Sequence, residues 1–503
     1  MIISSKHAER QQPTARADFT GGLNTAASVE DIAENQLAEV VNMEIDAATG
    51  RLCTVAGTLD ILETENIFAA IYDSINALIL IVKNDGQIFI ADFQGNLESS
   101  SAGNLSGNLY PKYCAFENGV LIASGGALQY FNGAELVTLD SPPAENVFVR
   151  NGRVVIVSEE NLFYSGVGDE NFWKEDNNVE SAAKFVEIGY KDGTKIICTV
   201  PLAQDIFILK TNKHAYRLGG EFPNWQINRV AEKVECNGRL AYCAVGDEVF
   251  VLGANEAALI QNVFYGNVKP EDIAAQVKSE IHRLPKNALV RFVNPLWQVW
   301  IIGNGGAVLV YDVRFKSWFK RQFNAAVIDV FTVADEVYIV KQDRISKLDK
   351  GTFKDNGEHL NWKFTAQRLV SHYDYLLKRT KITVTPLNHE RYCGQISVGK
   401  VVIPLPIPKR PVETFENDSP IFYNATRIHG KGRVRGKMLP QLPNDDIFKN
   451  SELPFEGRQK IFANNKFEIV SKNVFRSHYL DVKGEGAGGR FILNQIVMDI
   501  AEV

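Results

Sequence analysis

The densest run of side chains able to do chemistry is "RIHGKGRVRGKM", residues 427–438. Arg427, Lys431, Arg433, Arg435 and Lys437 set five positive charges among glycines there. Guanidinium forks and ammonium groups suit phosphate or carboxylate, and glycine lets a partner approach the backbone closely. Contact with a nucleic-acid backbone, docking on an acidic protein surface and a plain solvated loop all fit this composition. No aromatic side chain stands beside the cations to stack on bases, which ranks docking or a solvated loop ahead of sequence-specific reading.

Other reactive constellations are missing. The Gly-Lys pairs at 399–400, 430–431 and 436–437 lack the Ser or Thr of a nucleotide-binding loop. "GEGAGGR" (484–490) has the composition of a phosphate loop but runs into the strand-like "RFILNQIVMDI", so it reads as a long hairpin turn. The eight histidines never fall at metal-ligand spacing. Carboxylate pairs such as Asp445-Asp446 and Glu159-Glu160 sit in turn-like contexts, not as a general acid and base. Cys53, Cys114, Cys198, Cys236, Cys243 and Cys393 form no C-x-x-C pair, the pattern of buried thiols in a reducing compartment. No catalytic residue, metal ligand or cofactor site is expected.

The elements that would position any site repeat along the chain. Copies of a strand–turn–strand–turn pattern start at Asn76, Asn118, Asn151, Ala203, Gly246, Leu296 and Ala334, seven in all, 33 to 52 residues apart. Period-two alternation and a repeat of roughly 40–50 residues predict the four-stranded blades of a β-propeller, of six to eight blades with seven preferred. Trp173, Trp225 and Trp318 follow the last strand of three repeats and are expected to cover edges between blades. Two short helices are predicted, over "SVEDIAENQLAEVVNM" (28–43) and "KPEDIAAQVKSEIHRL" (269–284), each with an apolar stripe. Beyond Gly351 the strands become irregular. The expected organisation is an arm, helix and lead-in strand over 1–62, a propeller over 63–355 and a β-sandwich-like domain over 356–503, an all-β fold overall.

The segment "FTGGLNTAASVEDIAENQLAEVVNMEIDAATGRL" (19–52) resembles the start of the tail nozzle or hub proteins of short-tailed bacteriophages, the packaged-DNA stabilisation family. Gly21, Gly22, Leu23, Asn24, Gln36, Asn42, Gly50 and Arg51 carry the likeness, with Leu52 and Gly57 after them. The second basic residue of that pattern is absent from "RLCTVAGT". "YSGVGDENFW", "VLVYDVRFKSWFK" and the final "GGRFILNQIVMDIAEV" add to it. The resemblance implies a virion protein and not an enzyme. It implies a homo-hexameric ring below the portal and its adaptor, or head-to-tail connector. Such a ring extends the DNA channel, retains packaged DNA and anchors tailspikes or fibres and a plug protein. Double-stranded DNA would pass without sequence-specific binding, and the chain would be made in the host cytoplasm.

Charge fits a protein that does not grip DNA along its whole length. The net charge is −6, divided into −13 over residues 1–355 and +7 over 356–503. No window approaches 18 apolar residues, and the first residues lack the apolar core of a signal peptide, so no membrane span is expected. Two alternatives remain from the residues alone: a propeller enzyme of glycosidase or lactonase type with an axial site, and a monomeric protein-interaction propeller.

Overall fold

The computed structural model describes residues 11–176, 178–202, 205–261, 270–388, 393–405, 421–428, 455–461, 467–472 and 474–502. Nearly all regular structure in it is β, and seven four-stranded sheets follow one another along the chain. Their first strands are Ile67–Asp73, Lys112–Phe116, Asn146–Arg150, Ile196–Pro201, Tyr242–Val245, Leu289–Val293 and Val327–Val333. Each repeat legible in the sequence begins at the second strand of one of these sheets. First strands such as "KYCAF" and "VIDVFTV" each carry a charge within an apolar run and lie between the repeats read from the sequence.

The chain divides into two compact units. One comprises Leu59–Val308 and Ala325–Leu348; the other comprises Met1–Thr58, Leu309–Asn324 and Asp349–Val503. In the first, apolar side chains interlock between successive sheets. Ile71, Leu80 and Val82 of sheet 1 meet Val120, Ile122 and Phe131 of sheet 2. Leu121 and Leu128 of sheet 2 meet Val147, Val154 and Ile156 of sheet 3. The same happens between sheets 3 and 4 and between 4 and 5. A further cluster joins sheet 7, through Phe331, Tyr338 and Val340, back to Ile79 and Ile81 of sheet 1. A lone four-stranded sheet cannot bury both faces, and stacking around a ring solves this: the fold is a β-propeller. The fourth strand of sheet 7 is Gly57–Glu63, contributed from ahead of sheet 1, and Leu62 enters the cluster that closes the ring.

The second unit is a pair of sheets. A nine-stranded sheet contains Met43–Ile45, Leu52–Thr54, Leu369–Pro386 and Phe491–Glu502. A six-stranded sheet contains Gly22–Leu23, Gln36–Val41, Asn361–Ala366 and Val482–Ala487. Trp362 of the smaller sheet meets Phe491 of the larger edge-on, 5.0 Å between centroids, and Phe19 lies 6.2 Å from Phe364. This is the expected sandwich-like packing.

Four local expectations are corrected. The helix read over 28–43 is a single turn, with Ser28 accepting from the amides of Asp31 and Ile32, followed by the strand Gln36–Val41. Pairing with Gly22–Leu23 on one side and Asn361–Ala366 on the other outweighs the helical stripe, and the β-branched Val40 and Val41 favour it. The second helix shrinks to Lys278–His282, because Glu271–Asp272 pair with Ala258 and Leu259 in sheet 5. "GEGAGGR" is no hairpin: Val482–Ala487 and Phe491–Glu502 belong to different sheets, and Gly488 and Gly489, both at positive φ, carry the chain between them. "GRLCTV" does not lead into the first blade, since Leu52–Thr54 joins the nine-stranded sheet and Gly57–Glu63 completes the last blade. Residues 11–58 group with the strands of the second unit. Gln11–Arg16 pairs with Ile496–Ala501 in the nine-stranded sheet.

Candidate functional site

The eight residues of the family-like N-terminal segment all take structural positions within the sandwich unit. Gly21 donates to the Asn35 carbonyl at 3.1 Å. Gly22 has φ +63, and a Cβ there would stand 2.7 Å from the Trp318 carbonyl oxygen. Leu23 is buried and pairs in parallel with Leu37. Asn24 Nδ2 donates to Gln36 Oε1 at 2.8 Å, and that oxygen also accepts from the Ala33 amide. Asn42 is buried at φ 53. Its Nδ2 donates to the carbonyls of Gln322 and Asn361, while its Oδ1 accepts from the Gln322 amide at 2.7 Å. Gly50, at φ +65, closes a turn onto the Asp46 carbonyl, and Arg51 Nη1 reaches the Ala17 carbonyl at 2.7 Å. Arg490, just past the glycine run, adds bonds to the carbonyls of Thr54, Val55 and Lys350. These side chains are spent on backbone carbonyls and turns, so the segment fastens the fold and offers no reactive group.

Of the basic cluster, Arg427 lies on the strand Ile421–Ile428, whose side chains are outside the described residues. Lys431, Arg433, Arg435 and Lys437 fall outside the described residues altogether, as does Asp445-Asp446. Glu159 is at a positive-φ turn and pairs with Lys195 at 2.5 Å. Trp173 and Trp225 pack on clusters between sheets 2 and 3 and between 3 and 4, the covering role expected of them. Trp318 is buried within the second unit, 5.0 Å from Tyr311.

The residues that sequence reading missed sit on or just ahead of the first strands of the propeller sheets, which neighbour one another around the axis. Asp329 accepts from Tyr110 Oη at 2.6 Å and from Arg291 Nε and Nη2 at 2.9 and 3.0 Å. Lys112 Nζ donates to Tyr242 Oη and lies 4.0 Å from the centre of that ring. Tyr242 Oη also accepts from Asn146 Nδ2 and from the Thr199 amide, each at 3.2 Å. Arg239 spans the carbonyls of Tyr110 and Glu145.

Burial dominates the electrostatics here. It drives the Lys112 ammonium well below its ordinary pKa, with the Arg239 charge adding to the shift. Burial likewise raises the phenols of Tyr110, Tyr113 and Tyr242, and Asp329 pushes the first two further. Arg291 loses to burial but gains more from Asp329, so its pKa rises. The only carboxylate hydrogen-bonded in this described network is thus tied to a guanidinium and a phenol. The signal available in the sequence was modest: single charges inside otherwise apolar runs, as in "ALVRFVN" and "VIDVFTV".

Beside this network opens a cavity of about 770 Å³ lined by Phe68, Tyr110, Arg239, Lys286 and several amide side chains. No group of three or more His, Cys, Asp or Glu among the described residues is placed to hold a metal ion. No helix among them is long and apolar enough to cross a membrane.

No known family pattern matches the chain, and no curated protein matches it in sequence. Among solved structures it is similar to BamB from Moraxella catarrhalis at 8% identity, covering 54% of this chain and 79% of that one, with a TM-score of 0.38. It is also similar to YCF48 from Cyanidioschyzon merolae at 9% identity (59% and 98% covered, TM-score 0.39). A third is the WD40 β-propeller domain of Doa1 at 10% identity (58% and 95% covered, TM-score 0.37). The likeness to these structures is one of fold alone.

Proposed function

We propose that the chain is a structural protein of a short-tailed phage virion, a tail nozzle or hub that forms a ring, probed most simply as a hexamer. In this reading the ring extends the DNA channel below the portal and its connector, retains packaged duplex DNA without sequence-specific contact, and anchors spikes or fibres. The observation that carries the proposal is the use made of Gly21, Gly22, Leu23, Asn24, Gln36, Asn42, Gly50 and Arg51. The residues of the family-like segment are those whose conformations and hydrogen bonds hold the start of the chain in the sandwich. A segment of that kind is tied to a particular architecture and not to a reaction.

Two further features support a structural role. Turn carboxylates cap their own turns: Asp73, Asp92 and Asp169 accept from amides two residues on. An axial hydrolase would instead need free carboxylates converging on the funnel, and Asp329 is bound to Arg291 and Tyr110. The test is light scattering of the purified chain with and without a ring of its connector. A mass near six chains on the connector is expected; a chain that stays monomeric with the connector present overturns the proposal.

A further inference from the structure

The axial cavity has a composition that the nozzle reading does not use. Its wall carries Asn84, Asn108, Asn237, Asn287, Asn304 and Gln342, and no side-chain hydrogen bond within the described residues holds these six amides. Amides donate and accept at once, which is what neighbouring hydroxyl groups require of a partner. The rings of Phe68 and Tyr110, with centroids 5.5 Å apart and planes tilted by 57°, give the wall an apolar aromatic surface of the kind that the C–H face of a sugar ring packs against.

The charge is one-sided. Arg239 and Lys286 line the cavity, and no carboxylate does. Arg239 uses both terminal nitrogens on carbonyls, while its Nε is buried with no hydrogen-bond partner. Close behind, Arg291 pairs with Asp329 and the Glu145 carboxylate acts on Arg239, so the Lys286 ammonium leaves the excess positive. The Arg239 guanidinium in the wall and the exposed Lys286 ammonium together favour an anionic group in the cavity. The cavity's size is that of small-ligand sites, about 300–1,000 Å³.

We propose that this cavity binds an acidic saccharide, a uronic-acid ring or short oligomer. Its hydroxyls are met by the amides, its ring face by Phe68 and Tyr110, and its carboxylate by Arg239 and Lys286. This is binding without turnover, so it holds whether or not the chain assembles in a virion tail.

Titration calorimetry of the full chain with a uronic-acid trisaccharide, its neutral hexose counterpart and inorganic phosphate tests it. Saturable binding of the uronate is expected, about tenfold tighter than the neutral sugar and weakened by added salt. Lys286→Gln, an exposed change that leaves the fold's bonds intact, should weaken the uronate several-fold and leave any neutral-sugar binding unchanged. Arg239→Lys removes the guanidinium and should do the same; it is read only once circular dichroism shows a native spectrum. Equal affinity for neutral and acidic sugars overturns the proposal, as does no uronate binding at about 10 mM. Phosphate binding as tight as the uronate reduces the cavity to a bare anion site and overturns the saccharide assignment.

Discussion

At the scale of single residues, two positions carry unusual backbone demands and one cluster carries buried charge. Gly22 has φ +63 with Trp318 carbonyl oxygen where a Cβ would go. Gly22→Ala should therefore cost about 2 kcal/mol or more, read from the midpoint of urea unfolding. Asn42 couples a positive φ to three side-chain hydrogen bonds in a buried place. Asn42→Ala strands the Gln322 amide and should cost about 2–4 kcal/mol by the same measurement. In the axial network the pH dependence has two opposing parts. Lys112 has a lowered folded pKa, so the unfolded chain binds its proton more tightly, and stability rises with pH from that lowered value up to about 10.5. Tyr110, Tyr113 and Tyr242 have raised values. Their contribution is complete below pH about 10 and is lost above it, as the unfolded phenols ionise first. Unfolding measured from pH 7 to 11 should show the rise flattened in Lys112→Met and the alkaline fall reduced in Tyr242→Phe.

At the scale of elements, the strand Gly57–Glu63 decides whether the propeller is a closed ring. It supplies the outer strand of the sheet that begins at Val327, and Leu62 fills the cluster shared with sheet 1. Leu62→Ala leaves a hole at that closure and should cost about 2–4 kcal/mol, with protease cutting first near the sheet at 327–348. The blades were legible because their second and third strands alternate cleanly and are joined by Gly, Asn and Asp turns, as in "NGVLIASGGALQYFNG". Their first strands were not, because Lys112, Arg291 and Asp329 interrupt the apolar pattern where the strands face a polar axis. The segment at 28–43 misled for a different reason. Its spacing of Ile32, Leu37, Val40 and Val41 fits a helical face, yet strand partners more than 300 residues away claim Gln36–Val41. A local pattern cannot report a long-range pairing. The axial cavity was illegible for the same reason, since its walls come from strands and connections at five different sheets and only the folded ring assembles them.

At the scale of the molecule, the propeller closes its ring of sheets. In the sandwich, Gln11–Arg16 pairs with Ile496–Ala501 across most of the sequence. Closed sheets resist edge-to-edge aggregation, which is what a protein held in an ordered ring at high local concentration requires. The modest charge of −6 per chain is compatible with a channel through which duplex DNA slides. The most direct measurement is negative-stain electron microscopy of the purified chain assembled on its connector ring. The nozzle reading predicts class averages with sixfold symmetry and an open central channel in line with that of the connector. Single particles of one 56.1 kDa chain, with the connector ring bare, would contradict it.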